Sequence, residues 1–398
     1  MELQGSLKGV RILDFTWAVA GPFATSILGD HGAEVIKVEG RERTTTLYQF
    51  FSSWNRSKLS VIINMRHPKG LEVTKRLLKI SDVVIENFSA GVMESWGFGY
   101  EVMKSIKPDI IYVSMSGFGH TGPYRDYVSN GPTLQCLAGF TLPSGFPCGM
   151  PTVMGAYSDF MGGLHGALAV LMALEYRKQT GKGQYVDLAQ LEATAAYLDT
   201  AILDYTVNGR VSQPMGNRLA HPAAAPHGAY QCLGDDRWCA IAVFSEDEWQ
   251  AFCRAIGNPP WTQEPRFATL PQRVQHADEL DKLVEQWTNQ RSAEEVMGIM
   301  QRAGVAAGVV QNAEDLVDKD PHLRARGFWE RAYDPVFGET TFEGVPVCLS
   351  ETPGRVQRGA PLFGEHNNYI FGTLLGMSPE EIQQYTEEGV FRGVPAPQ

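Results

Sequence analysis

Over its first 120 residues the chain alternates short β-branched apolar runs with stretches whose apolar residues recur every three or four positions. The run VRILDFT predicts a strand, PFATSILGDHG a helix closed by Gly32, and AEVIKVE the next strand. LSVIINM, DVVIENF and DIIYVSMS predict further strands. Between them PKGLEVTKRLLKIS and YEVMKSIK carry helical spacing, with Pro68 placed for a first turn. Strands alternating with helices predict an α/β fold with a mostly parallel sheet. Ligands of such sheets sit beyond the carboxyl ends of the strands. That directs attention to DFTWAVAGP, VEGRER, ENFSAG and SGFGHTGP.

Further on, residues 160–178 and 186–207 read as two longer helices joined by QTGKGQ. SQPMGNRLAHPAAAPHGAY then breaks the composition with Pro, Gly and Ala, which marks residues 206–228 as a linker or an active-site loop. AYQCLGDDRWCAIAVF predicts a hairpin turning at Gly234-Asp235-Asp236, and amphipathic helices follow at 245–256, 275–290 and 292–303. The expected division is a large α/β domain from residues 1–205 and 329–398, with a smaller α+β domain at 229–328. The tail TTFEGVPVCLSETPG returns to short strands. The last helix is capped by Ser378, with Glu380 and Glu381 in its first turn.

Composition narrows the partners. The 398 residues carry 34 basic and 45 acidic side chains, a net charge of −11 without long runs, so no basic stripe suits a nucleic acid. No stretch reaches the roughly 18 continuous apolar residues of a membrane span. The amino terminus lacks the basic-then-apolar pattern of a signal peptide. Six scattered cysteines without a C-x-x-C pair argue against a disulfide framework or structural zinc, and for a reducing, cytoplasmic setting. The nine histidines show no paired ligand spacing, so no metal is expected.

Two motifs carry candidate chemistry. Gly117-Phe-Gly119-His-Thr-Gly122 has dinucleotide-site spacing, but Pro123 follows and no acid lies between Asp126 and Asp159. A ligand loop is expected there, not a nicotinamide or flavin site. Asp159 stands just before an almost wholly apolar stretch. It reads either as a helix N-cap, or as a carboxylate kept ionised by the helix dipole and available as a nucleophile. Gly162 and Gly163 would let a bulky ligand approach the backbone.

The opening LKGVRILDFTWAVAGPFATSILGDHGAEVIKVE resembles the class III CoA-transferases, the family of formyl-CoA transferase, carnitine CoA-transferase and the bile-acid-inducible F type. The resemblance continues through LLKISDVVIENFSAGVMESWGFGYE, PDIIYVSMSGFGHTGPY, GALAVLMALEYRKQTGKGQYVDLAQLEA, AGVAAGVV and PLFGEH. It implies a Rossmann-like, CoA-binding large domain and an interlocked dimer, either a homodimer or a heteromer with a homologous subunit. Gly155-Ala-Tyr-Ser-Asp159-Phe-Met-Gly-Gly163 matches the segment of the catalytic aspartate, so the resemblance makes Asp159 the nucleophile. The implied substrates are an acyl-CoA donor, succinyl-CoA among the candidates, and a carboxylic acid acceptor.

Positions lining the family's CoA site fall on Trp17, Ala18, Val19, Ala20, Arg41, Arg66, Asn87 and Phe88, and Gly228 falls in a candidate oxyanion or substrate loop. Trp17 and Val19 replace polar residues of formyl-CoA transferase, which favours a bulky or aromatic acceptor. Racemase relatives place a His-Asp pair where this chain has Ser129 and Asn130, so transfer is the better expectation. A non-catalytic partner subunit is the alternative. Asp187 and Glu192 read as structural.

Overall fold

The computed structural model describes residues 5–40, 48–219 and 223–391. Arg41 therefore lies outside the described residues. Among these, six strands form a parallel sheet: β1 (Arg11–Asp14), β2 (Glu34–Glu39), β3 (Lys58–Ile62), β4 (Val83–Glu86), β5 (Ile111–Ser114) and β6 (Tyr185–Asp187). Their order is β3-β2-β1-β4-β5-β6. The order reverses between β1 and β4, so the loops after these two strands diverge and leave a crevice at the carboxyl edge.

The helices of this part are α1 (Ala20–Asp30), α2 (Tyr48–Asn55), α3 (Pro68–Lys79), α4 (Val92–Ser95), α5 (Tyr100–Ile106), α6 (Gly131–Leu137), α7 (Tyr157–Thr180), α8 (Gln190–Ala195) and α9 (Asp199–Asn208). The strands are apolar on both sides because both sides are covered. Leu13, Ile36, Val61 and Val84 point to one core, shared with Leu77 and Leu78 of α3 and with Phe371 and Phe391 from the carboxyl-terminal end. Ile12, Val35, Val83 and Ile85 point to the other, against Ala24 and Leu28 of α1 and Val170 and Ala173 of α7.

The chain divides into two compact units. Residues 1–141, 153–211 and 322–398 make the first, and residues 142–152 and 212–321 the second. The excursion at 142–152 has no compositional signal in the sequence. The second unit is built on an antiparallel sheet, β7 (His227–Gln231), β8 (Trp238–Ala242) and β9 (Ala306–Val309). Helices α10 (Glu246–Ala255), α11 (Leu270–Gln275), α12 (Ala277–Thr288) and α13 (Ala293–Arg302) supply its core residues Trp249, Leu280 and Met300. Ser245 and Ser292 close capping boxes with Glu248 and Glu295 at the starts of α10 and α13.

Most expected elements are present, including the Ser378 cap, whose Oγ accepts the Glu381 N–H at 3.2 Å. The expected helix 186–207 is not one element. Tyr185–Asp187 is an edge strand paired with β5, followed by α8, a short 3-10 turn and α9. Its three residues are too few to show a strand period, and the helix formers behind them dominate the pattern. The tail forms one hairpin, β10 (Trp329–Asp334) with β11 (Gly338–Glu343), and no strand in residues 344–354.

α7 has two apolar faces. One packs into the core, whereas Leu164, Leu168, Leu171, Met172 and Tyr176 are exposed, as are Ile202, Leu203 and Tyr205 of α9. No helix among the described residues is long and apolar enough to cross a membrane.

Candidate active site

A cavity of about 660 Å³ opens where β1 to β4 end. Thr16, Trp17 and Ala18 line it after β1, Lys37 and Glu39 at the end of β2, Arg66 beyond β3, and Phe88 and Trp96 beyond β4. Four of the expected positions, Trp17, Ala18, Arg66 and Phe88, are thus brought together. Trp17 is 63% exposed, a rim residue and not part of the core. Val19 holds the cap position of α1 and Ala20 is its first residue. The Asn87 side chain is spent on the Trp17 backbone: its Oδ1 accepts the Trp17 N–H at 2.8 Å and its Nδ2 donates to the Trp17 carbonyl at 2.9 Å. Gly228 lies inside β7, opposite Ile241, so it is a strand residue and not part of a loop.

Asp159 is the third residue of α7, not its cap; Ala156 holds the cap position. The backbone amides of Ala20 and of Asp159 itself lie beside its half-buried carboxylate. Burial raises the carboxyl pKa above the ordinary aspartate value, and those two amides work against the rise. The result is a carboxylate poorly hydrated yet oriented by two helix N-termini, α1 and α7, which suits a nucleophile.

The approach of α1 depends on glycine. A Cβ at Gly163 would lie 2.7 Å from the Ala20 carbonyl oxygen and 2.8 Å from the Phe23 ring. The space expected to admit a ligand is therefore filled by α1, and at Gly162 by Gln190, whose Cγ would be 2.9 Å away. Gly163 lets α1 close on α7, which brings Ala20 towards Asp159, and Gly162 lets α8 close on the other side.

Gly131, the first residue of α6, faces the carboxylate directly: a Cβ there would sit 1.9 Å from Asp159 Oδ2. Gly131→Ala is expected to displace the carboxylate and lower kcat by about 100-fold, the cost of a misplacement near 1 Å. Steady-state kinetics beside circular dichroism would check this, with near-native ellipticity expected. Asn130, where racemase relatives carry part of their base pair, instead caps α6, its Oδ1 accepting the Thr133 N–H at 3.0 Å.

Beneath the loop after β1 lies a buried charge network that periodicity does not reveal. Asp14 Oδ2 pairs with Lys58 Nζ at 3.1 Å and accepts from Thr25 Oγ1 at 2.7 Å. Asp14 Oδ1 accepts from the Thr16 N–H at 2.8 Å, and Lys37 Nζ donates to the Thr16 carbonyl at 2.7 Å. Lys58 also reaches the Pro22 carbonyl, at 2.9 Å. Burial opposes ionisation of Asp14, but Lys37, Lys58 and the two threonine hydroxyls overcome it and hold its carboxyl at about 2. The signal available in the sequence was charge set inside apolar strand runs: ILD, VIKVE and SKLSVI.

Glu86, at the end of β4, behaves oppositely. Burial pushes its carboxyl up to about 7 despite hydrogen bonds from Ser114, the Phe88 N–H (2.6 Å) and the Tyr112 hydroxyl (3.0 Å). A folded pKa above the unfolded value means stability that is present below about 4.5 and is lost as pH rises through about 7. Glu86→Gln is expected to change stability little at pH 5 and to raise it at pH 8, by on the order of 2 kcal/mol. Urea midpoints at the two pH values would show it.

The Gly117–Gly122 loop folds back onto the sheet instead of opening a helix: the His120 N–H donates to both Asp187 oxygens at 3.1 Å, and His120 Nε2 meets Ser114 Oγ at 2.7 Å. Asp187 is thus structural. No group of three or more His, Cys, Asp or Glu among the described residues is placed to hold a metal.

Comparison with known proteins identifies the family. CoA-transferase family III matches residues 7–367. Succinyl-CoA–D-citramalate CoA-transferase of Chloroflexus aurantiacus is 35% identical over 388 residues, covering 94% of this chain and 96% of that one. Succinate–glutarate CoA-transferase of Agrobacterium fabrum is 30% identical over 388 residues, 92% of this chain and 95% of its own. The beta subunit of succinyl-CoA–L-malate CoA-transferase from Chloroflexus aurantiacus is 32% identical over 398 residues, 96% of this chain and 98% of its own. A CAIB/BAIF family protein from Brucella suis superposes with a TM-score of 0.86 at 30% identity, over 93% of this chain and all of that one. Matched along nearly its whole length, the chain belongs to CoA-transferase family III and is a CoA-transferase.

Proposed function

We propose that Asp159 is the covalent nucleophile of a transferase that moves CoA from succinyl-CoA to a carboxylic acid with an apolar, bulky or aromatic body. The observation that carries this reading is the half-buried Asp159 carboxylate, beside the Ala20 backbone amide and set against Gly131. Three of the relatives named above act on succinyl-CoA or succinate, which supports the donor. Trp17 at the cavity rim supports a large acceptor of low polarity.

In the proposed sequence the Asp159 carboxylate attacks the thioester carbonyl, forming an aspartyl–acyl anhydride and releasing CoA thiolate. The thiolate attacks the aspartyl carbonyl, giving aspartyl-CoA thioester and the donor's free acid. The acceptor carboxylate attacks that thioester, forming a second anhydride and thiolate again. Attack of the thiolate on the acceptor's carbonyl releases the new acyl-CoA and restores the Asp159 carboxylate. Partial exclusion of water protects the anhydrides, which hydrolyse readily.

The test is direct trapping. The protein is incubated with succinyl-CoA, and with other acyl-CoAs in parallel, then treated with hydroxylamine or borohydride. Peptide mass spectrometry should find a mass change at Asp159 that is absent from Asp159→Ala. Absence of any change with every donor would refute the nucleophile.

Assembly as a dimer belongs to the same reading, supported by the exposed apolar faces of α7 and α9. Dilution should dissociate and unfold the protein together, so its melting temperature should fall with concentration. Sedimentation showing folded monomers would contradict this. Relatives that are alpha and beta subunits of one enzyme favour a second form of the reading, pairing with an unlike homologous subunit, which native mass spectrometry of the isolated complex would distinguish. A cytoplasmic setting is supported by six cysteines, all free.

A further inference from the structure

We propose that Asn87 is a positioning residue, whose side-chain amide holds the turn Trp17–Ala20 in the one shape that aims the Ala20 N–H at Asp159. The inference rests on Asp159 being the nucleophile.

Three observations converge at the point where strand order reverses. First, Asn87 follows β4 and grips the backbone of Trp17, which follows β1, with one bond in each direction. Second, the next residue, Ala18, has φ 58°, a left-handed conformation that costs a side-chain-bearing residue on the order of 1 kcal/mol and persists only where its surroundings impose it. Third, two residues later the chain enters α1, whose first residue, Ala20, packs against α7 at Gly163, one turn after Asp159, and sets its backbone amide beside the Asp159 carboxylate. Asn87 is itself held: the Glu86 carboxyl accepts the Phe88 N–H at 2.6 Å and fixes the turn that carries it.

Upstream of Ala18, Thr16 is pinned by Asp14 and Lys37. Downstream, the Pro22 carbonyl is pinned by Lys58. Between these fixed points Asn87 is the side chain that meets the Trp17 peptide groups on both sides. Without it, Ala18 would relax toward ordinary backbone angles and the Ala20 amide would swing away from the carboxylate. The defect would therefore appear in the chemical step and not only in acyl-CoA binding.

The experiment measures kcat, KM for succinyl-CoA and the rate of covalent trapping at Asp159 in wild type, Asn87→Ala, Asn87→Asp, and Asn87→Ala combined with Ala18→Gly. Asn87→Asp keeps the acceptor for the Trp17 N–H but sets a carboxylate oxygen against the Trp17 carbonyl, and it serves should the alanine variant fold poorly. Both single variants are expected to lose about 100-fold in kcat and in trapping rate, with KM changed by less than about threefold. Adding Ala18→Gly removes the conformational cost and should restore about tenfold.

A rise in KM with kcat unchanged would make Asn87 a simple substrate contact and overturn the proposal. So would a fall in kcat that Ala18→Gly does not relieve, since a merely structural loss has no reason to respond to that residue. If wild type itself is never labelled at Asp159, the nucleophile reading fails. If wild type is labelled and the Asn87 variants are labelled equally fast, only the positioning role fails.

Discussion

Asp159→Ala is expected to lower kcat for CoA transfer by at least about 10,000-fold, with the fold intact and KM for the acyl-CoA nearly unchanged. Loss of a covalent nucleophile removes the route itself, so its effect is of the size seen when a group that acts as a unit with its partners is deleted. The fold should tolerate the change because Asp159 is not the helix cap, and because burial already disfavours its ionised form. In wild type, the acidic limb of kcat/KM should lie above the ordinary aspartate range, since burial raises the carboxyl pKa and only ionised Asp159 attacks. Stopped assays of acyl-CoA exchange across pH 3.5 to 8 would measure both. A variant retaining a tenth of the activity would move the nucleophile elsewhere.

Asp14→Ala is expected to have the largest effect on stability, about 3–5 kcal/mol. Asp14 is wholly buried, and its removal leaves the Lys58 ammonium without its carboxylate and strips Thr16 and Thr25 of an acceptor. Burial already pulls Lys58 down to about 7, so part of the penalty would be met by Lys58 losing its proton, and the variant should regain stability as pH rises from 6 to 9. Replacing both members, Asp14→Asn with Lys58→Met, should be less harmful than Asp14→Ala alone, because the Lys58 ammonium is no longer left without its carboxylate. Urea unfolding of the three proteins at two pH values tests the order. Equal midpoints for wild type and Asp14→Ala would refute the network.

The network also explains how the loop after β1 can be both strained and reproducible. Asp14 and Lys37 are neighbours across β1 and β2 in the sheet register. Their side chains take hold of Thr16 from the two ends of one residue. After β4, Glu86 accepts the Phe88 N–H and Asn87 ties that turn to Trp17 in the loop after β1. The loops lining the cavity are thus anchored to the rigid carboxyl edge of a parallel sheet, which is where a site needs stiffness.

The sequence by itself determined the parallel α/β architecture, since β1 to β5 are apolar runs of strand length separated by helical spacing. Each covers both of its faces with core, which forces near-continuous apolar residues and makes them visible. It also determined Asp159 as the residue to watch, because a lone acid before an apolar helix has few readings, and family resemblance chose between them. β6 escaped because an edge strand of three residues owes its shape to hydrogen bonds from Tyr112 to Ser114, and not to its own pattern. The same holds for residues 142–152, whose membership of the second unit is decided by contacts far along the chain. Tertiary structure alone decided what surrounds the carboxylate. Gly163 turned out to admit α1 instead of a ligand, Gly131 to face Oδ2, and Asn87 to grip Trp17. Each is a meeting of residues remote in sequence, fixed by packing distances of about 3 Å that no periodicity records.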